Sequence, residues 1–420
     1  MPLTAGREPC FVSACFSCFA VECPVPSRRS SYLAARVRGF GPSVFAEYTA
    51  LAEKHGAVNL GQGFPDFPAP DFIKTAAQAA IAADHNQYTR YGGHPALVEI
   101  LAAQASLDLG RPVDPWDEVQ VMAGATAALF AACQALVEPG DEVILFEPFF
   151  DVYTADVIMA GGVPVFVPLY PQADGRWRYD PDELRRAFGP RTKLLLLNTP
   201  HNPTGKVYEE TELAEIAALC QEHDVIVLSD EVYERMLFEH DRLPRMATLP
   251  GMWERTLSIG SAGKTFSVTG WKIGWAIGPA HLVGAVRAVQ QWLTFSVATP
   301  LQVAVAAAIR EAPARGYYEE MAQMYRAKRD RLAGILAQAR LRPLLPAATY
   351  FIMADTSAFG FADDEQFCRW LTTAIGVAAI PPGTFYSPPH RHLARHLARF
   401  CFCKKDETLQ TVAERLRVLA

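Results

Sequence analysis

The sequence predicts an α/β protein, with a large doubly wound, mostly parallel sheet domain and a small α+β domain. Three observations predict it. Short apolar, β-branched runs alternate with helical patterns over residues 119–279, the order expected when helices cover both faces of a parallel sheet. Three successive apolar runs end in polar residues, Asn198, Asp230 and the stretch Ser261 to Lys264, where open parallel sheets place their ligands. After residue 313 the alternation stops, and strand-like and helix-like segments follow in α+β order.

Taken in order, the apolar runs predict strands at 119–122, 142–146, 163–167, 193–198, 225–229, 256–259 and 272–277. Helical periodicity between them predicts helices at 126–137, 151–160, 181–188 and 210–223. One long helix is predicted at 281–311 and a second at 317–340. The last region reads as strand 350–354, helix 364–374, strands 377–381 and 399–403, and helix 407–419. The predicted division is therefore an N-terminal extension (1–40), a large domain (64–312) and a small domain made from 44–63 and 313–420.

Length and composition narrow the class. At about 150 residues per domain, 420 residues allow two or three domains. Half the residues are hydrophobic, 20% are charged and 11% aromatic, which excludes a disordered, collagen-like or coiled-coil chain. The 39 basic and 45 acidic side chains are scattered and leave a net charge of -6, so neither nucleic acid nor an anionic membrane is expected as a partner. No uninterrupted apolar run approaches the length of a membrane span. Nine cysteines are too few for a disulfide scaffold, and a reducing cytoplasm fits them best.

Cys10, Cys15, Cys18 and Cys23 crowd the first forty residues around the apolar run 11–21. Arg7 is followed at once by Glu8 and no small-residue cleavage site follows, so a signal peptide is not favoured. Cys15-x-x-Cys18 lacks the second pair a zinc site needs. A disordered extension is expected there.

The polar strand ends carry the candidate chemistry. Asp230 directly follows an apolar strand, where a carboxylate is costly unless it meets a cation; capping a following helix is the plain alternative. Lys264, in Ser261-Ala-Gly-Lys264-Thr, is either solvated or aimed into the same crevice. A P-loop is excluded, because Ser258 stands where that motif needs its first glycine. Gly124-Ala125-Thr126 follows a strand and opens a helix, which suits an anion, although an ordinary Thr cap would read the same way.

Asn198-Thr-Pro-His-Asn202-Pro-Thr-Gly205, Asp230-Glu-Val-Tyr233 and Ser261-x-x-Lys264-x5-Gly270-x-Lys272-x-Gly274 together resemble the signature of fold-type I pyridoxal-phosphate (PLP) enzymes of aminotransferase class I/II. The resemblance runs from about Val44 to the C-terminus. Asn59-Leu-Gly-Gln-Gly63-Phe-Pro-Asp-Phe67, Asn86-Gln-Tyr88-Thr, Gly140-Asp-Glu-Val, Glu147-Pro-Phe-Phe150-Asp, Thr269-Gly-Trp-Lys272 and Arg399-Phe-Cys-Phe are similar to the subgroup of kynurenine/glutamine transaminases, cysteine-conjugate β-lyases and bacterial methionine aminotransferases.

The resemblance implies a role for each residue. Lys264 would hold the cofactor through its amine and move the substrate proton, and Asp230 would keep the pyridine nitrogen protonated. Ser261, Lys272 and the backbone at Ala125 and Thr126 would bind the phosphate. Asn202 and Tyr233 would bond the phenolic oxygen, Phe150 would stack on the ring, and Tyr88 would reach the phosphate of a neighbouring subunit in a homodimer with its active site at the interface. Arg399 would clamp the substrate carboxylate, helped by Asn202 and Gly63; pairing with Asp406 or Glu407 is its plain alternative.

Phe45, Phe64, Phe295 and Tyr350 are candidates for the side-chain wall. Ser296 stands where mammalian kynurenine members carry histidine, which leans the reading toward a methionine or aromatic amino acid donor and a 2-oxo acid acceptor. A β-lyase or a PLP-binding regulator is the alternative, and residues 1–40 are too short for the regulator's helix-turn-helix. His390, His392 and His396 lack partners at ligand spacing and read as a solvated helix face rather than a metal site.

Overall fold

The computed structural model describes residues 32–420, and the Cys15-x-x-Cys18 pair with its apolar run lies outside them. Residues 32–39 hold a short 3-10 turn, Ala35–Val37, where Arg38 Nε donates to the Leu33 carbonyl at 3.1 Å. Phe40–Ala420 is a separate compact unit.

That unit begins with α1 (Val44–His55), β1 (Val58–Asn59), α2 (Asp71–Ala82) and α3 (Pro95–Leu109). The alternating region follows as β2 (Val119–Met122), α4 (Ala125–Leu136), β3 (Glu142–Glu147), α5 (Val152–Met159), β4 (Val163–Pro171) and β5 (Trp177–Tyr179). It continues through α6 (Pro181–Ala187), β6 (Thr192–Asn198), α7 (Glu210–Glu222), β7 (Ile226–Asp230), β8 (Thr256–Ser261), α8 (Ala262–Thr265) and β9 (Gly274–Ile277). Then come α9 (Ala280–Leu293), α10 (Thr299–Glu311) and α11 (Tyr317–Gln338). The chain closes with β10 (Arg342–Leu344), β11 (Phe351–Asp355), α12 (Asp364–Trp370), β12 (Val377–Ala378), β13 (Leu397–Cys401) and α13 (Asp406–Leu416).

Eight strands form one sheet in the order β2-β9-β8-β7-β6-β3-β4-β5. Its centre, from β8 to β4, is parallel. Alternate residues of each central strand enter opposite layers. Val143, Leu145, Leu194 and Leu196 pack under α4, α5 and α9, whereas Ile144, Phe146, Leu195 and Leu197 pack under α6 and α7. Burial on both faces is why these strands read as unbroken apolar runs. A three-stranded antiparallel sheet, β10-β11-β13, and the parallel pair β1-β12 stand apart from it.

Two expectations need correction. The stretch 281–311 is not one helix: α9 ends at Leu293 and α10 starts at Thr299, with Phe295 at φ 63 and Pro300 in the first turn of α10. A left-handed residue and a missing N–H break the ladder that the periodicity hides. The strand predicted from 272 starts at Gly274 and runs antiparallel to both β2 and β8, because the short segment 262–273 simply folds the chain back.

Candidate active site

Register alone brings the polar strand ends together, since Asn198 lies opposite Asp230 across β6 and β7, and Asp230 lies opposite Ile259 of β8. Asn198 then fixes the loop beyond β6. Its amide donates to the carbonyls of Asp230 at 3.0 Å and Pro200 at 3.1 Å and accepts from the Asn202 N–H at 2.7 Å. These bonds present Asn202 to a cavity of about 250 Å³ beyond the carboxyl ends of the strands. Asp230, Tyr233, Ser261, Lys264, Lys272, Phe150, Gly63 and Arg399 line the same cavity, as do Ala125 and Thr126.

Asp230 caps no helix. Its carboxylate accepts from the Tyr153 hydroxyl at 2.7 Å and from the Val232 N–H at 3.3 Å. Burial pushes its pKa up, opposed first by the Tyr153 bond, then by the Val232 N–H and the charge of Lys264. A buried acid in that state gains from a cation placed beside it.

Lys264 sits on the one-turn helix α8, whose start is capped by Ser261 Oγ accepting from Gly263 N–H at 3.1 Å. Its amine donates to the Tyr350 hydroxyl at 3.0 Å and lies 5.5 Å from the ring centre of Tyr233. Burial lowers its pKa. The Tyr233 ring is buried edge-on to Tyr350, with ring centres 5.2 Å apart, and burial raises its hydroxyl pKa.

The opening turn of α4 supplies an anion cradle. Gly124 precedes it at φ 85 with no side-chain cap, so the Thr-cap alternative fails. A Cβ on Gly124 would lie 3.0 Å from Lys272 Cε and 3.2 Å from its Nζ, so glycine leaves room for the ammonium. Free N–H groups, the positive helix end and an ammonium then share one corner.

Arg399 lies in the middle of β13 and is 1% exposed. Its Nη1 donates to Asn202 Oδ1 at 3.1 Å and its Nη2 to the Gly61 carbonyl at 2.9 Å, while Nε has no partner. The rings of Phe351, Phe45 and Phe385 lie 4.3, 5.0 and 5.2 Å from it. Asp406, its supposed partner, pairs with Lys328 at 2.8 Å and Arg331 at 3.3 Å instead. Among the described residues Arg399 forms no ion pair with a carboxylate, which makes it a receptor for one.

Tyr88 and Phe295 are not brought to this cavity. They are 82% and 47% exposed and stack edge-on with ring centres 5.3 Å apart, on and beside the α9–α10 connection. His392 and His396 are exposed as expected, whereas the solvated reading of His390 needs correction. His390 Nδ1 pairs with the buried Glu147 carboxylate, and His392 bonds the Pro389 carbonyl at 2.9 Å. No group of three or more metal-ligating side chains occurs among the described residues. Sequence reasoning missed Tyr153, whose place one helical turn after Phe150 was the available signal, and it missed the Tyr350 hydroxyl as the partner of Lys264.

An ammonium, a buried acid, an anion cradle and an unsatisfied guanidinium thus converge. Residues 55–416 match the family Aminotransferase class I and II. The chain belongs to this family. The aminotransferase is 45% identical to kynurenine–oxoglutarate transaminase of Dictyostelium discoideum over 93% of this chain and 95% of that protein. The solved N-succinyldiaminopimelate aminotransferase of Mycobacterium tuberculosis superposes with a TM-score of 0.88 at 46% identity, covering 92% of this chain and 100% of that one. An Escherichia coli structure described as having a methionine aminotransferase function gives a TM-score of 0.87 at 39% identity, covering 92% and 99%.

The enzyme depends on pyridoxal phosphate. Its residues fit that group: an amine and a buried carboxylate share the cavity, and the Gly124 cradle, which a Cβ would fill, suits a phosphate. Among the described residues no helix is long and apolar enough to cross a membrane.

Proposed function

We propose that the enzyme moves the amino group of an apolar, sulfur-containing or aromatic amino acid, of the methionine, glutamine, kynurenine or phenylalanine type, to a 2-oxo acid. The observation that carries this reading is Arg399, a buried guanidinium with an unsatisfied Nε that shares a cavity with Lys264 and Asp230. The activities for which two relatives are named, on kynurenine and methionine, support it.

Bound pyridoxal phosphate supplies an electron-withdrawing ring that takes up the charge left when the substrate Cα proton departs. Lys264 would hold that group and move the proton. Asp230 keeps a positive ring nitrogen, positioned by the Tyr153 hydroxyl. Ser261, Lys272 and the Ala125–Thr126 backbone would hold the phosphate, Asn202 and Tyr233 would bond the phenolic oxygen, and Phe150 would stack on the ring. Arg399 binds the substrate carboxylate in place of its present neutral partners, beside Asn202 and Gly63.

We infer further that the enzyme is a cytoplasmic homodimer, with Tyr88 serving the partner's site and Phe295 reaching substrate only across that interface. Their stacked, exposed rings support this reading. A small domain of 44–63 and 313–420 against a large domain of 64–312 is likewise our reading. It is supported by the β10-β11-β13 sheet and the β1-β12 pair, which come from those two small-domain segments alone.

The deciding experiment is a panel of donors, namely methionine, glutamine, kynurenine, phenylalanine, aspartate and N-succinyldiaminopimelate, scored by conversion of bound cofactor to its amine form. Conversion by the apolar and aromatic donors is expected. Conversion by aspartate or N-succinyldiaminopimelate alone overturns the substrate class.

A further inference from the structure

The carbonyls of four consecutive residues, 61–64, each accept a hydrogen bond from a side chain. Gly61 O accepts from Arg399 at 2.9 Å, Gln62 O from Lys404 at 3.2 Å, Gly63 O from the Tyr350 hydroxyl at 2.6 Å and Phe64 O from Lys404 at 2.9 Å. Tyr350 differs from the other holders because its oxygen also accepts from Lys264 Nζ at 3.0 Å. One hydroxyl therefore gives its only proton to Gly63 and a lone pair to Lys264.

This arrangement is directional. The Gly63 carbonyl has no proton to give, so the Tyr350 hydroxyl must donate there and can only accept from the lysine. A fully buried tyrosine whose pKa is pushed up stays neutral, so it neither repels nor neutralises the ammonium. Rotation of its ring is blocked by Tyr233, Phe351 and Tyr325, at 5.2, 4.8 and 6.0 Å between ring centres. Groups that set the charge of Lys264 are the thiols of Cys401 and Cys403, Asp230 and Arg399. None of these makes a hydrogen bond to its amine.

We propose that Tyr350 is a positioning residue for Lys264: its hydroxyl, oriented by the Gly63 carbonyl, fixes the direction of the lysine amine and steadies its protonated form. The inference rests on the reading of Lys264 as the cofactor-holding residue, but its test does not require turnover. In Tyr350→Phe the ring and its packing stay while the acceptor is lost.

The experiment labels the cofactor-free chain with an amine-reactive reagent across a pH series and follows the Lys264 peptide by mass spectrometry. Losing a hydrogen bond to a charged donor should lower the half-labelling pH of Lys264 by about one unit in Tyr350→Phe. Tyr325→Phe, which removes a hydroxyl of the same aromatic cluster that does not reach Lys264, should leave it in place. In the cofactor-loaded enzyme Tyr350→Phe should lower kcat with KM for the amino donor little changed. An unchanged half-labelling pH in Tyr350→Phe, or an equal shift in Tyr325→Phe, overturns the proposal. If the donor panel fails while the labelling shift appears, only the substrate reading falls.

Discussion

Asp230 and Lys264 are each costly to bury in the charged form, and burial shifts their pKa values in opposite directions, up for the acid and down for the amine. Each therefore needs the group that the pair encloses. Lys264→Ala should reduce transamination by at least about 100-fold, the loss that accompanies removal of a proton-transferring side chain; steady-state assays with a 2-oxo acid acceptor check it. Arg399→Lys keeps the charge but loses the planar fork, and KM for the amino acid should rise roughly 10- to 100-fold with a smaller change in kcat. Asn198 and Asp230 were legible in the sequence because each ends an apolar run, where a polar side chain has no packing reason to be; Lys264, on α8 three residues past the end of β8, was legible only through the resemblance carried by the combined motifs. Tyr350 was legible only as a wall aromatic. Its partners, Lys264 and Gly63, lie 86 and 287 positions away, and a tyrosine at the start of a buried strand looks the same whether its hydroxyl is used or not.

The elements behind the site carry their own consequences. Asp156 on α5 is buried with one carboxylate oxygen unpartnered, and burial raises its pKa to about 7. The folded chain then keeps a proton that the unfolded chain gives up from about pH 4, so this group's contribution to stability falls as pH rises from there to about 7. Asp156→Asn removes that titration; denaturant midpoints should show it stabilised relative to the parent at pH 8, by an amount of the order of 1–4 kcal/mol, and nearly matched at pH 4. Gly124→Ala puts a Cβ on a φ of 85 beside Lys272, at a strain of about 1–3 kcal/mol. Retention of cofactor on dialysis should fall with it. The central strands and their helices were readable because two-sided burial writes continuous apolar runs. The α9–α10 break and the reversal of β9 were not, since both are set by a few backbone angles in segments whose composition stays helical or apolar.

At the scale of the whole molecule, Tyr88, Trp292 and Phe295 present aromatic surface to solvent, with Trp292 84% exposed. Burying it against a second copy would remove a sizeable apolar area from water. Sedimentation should give twice the chain mass for the parent, and Trp292→Glu should shift it toward one chain with activity falling on dilution. The fold class could be read from the order of apolar runs; that Trp292 and Phe295 stay on the surface could not, because buried and exposed aromatics look alike in sequence and differ only in what the folded chain leaves uncovered.

Ser261, Lys264 and Lys272 all belong to one excursion that leaves the sheet from β8 and returns as β9, pinned at its base by the pairing of Ser261 with Gly274. On the proposed assignment this excursion works as a ruler. The gap between the amine that would take the cofactor's aldehyde carbon and the ammonium that would take its phosphate is set by chain length, so an insertion or deletion within it would spoil both holds together.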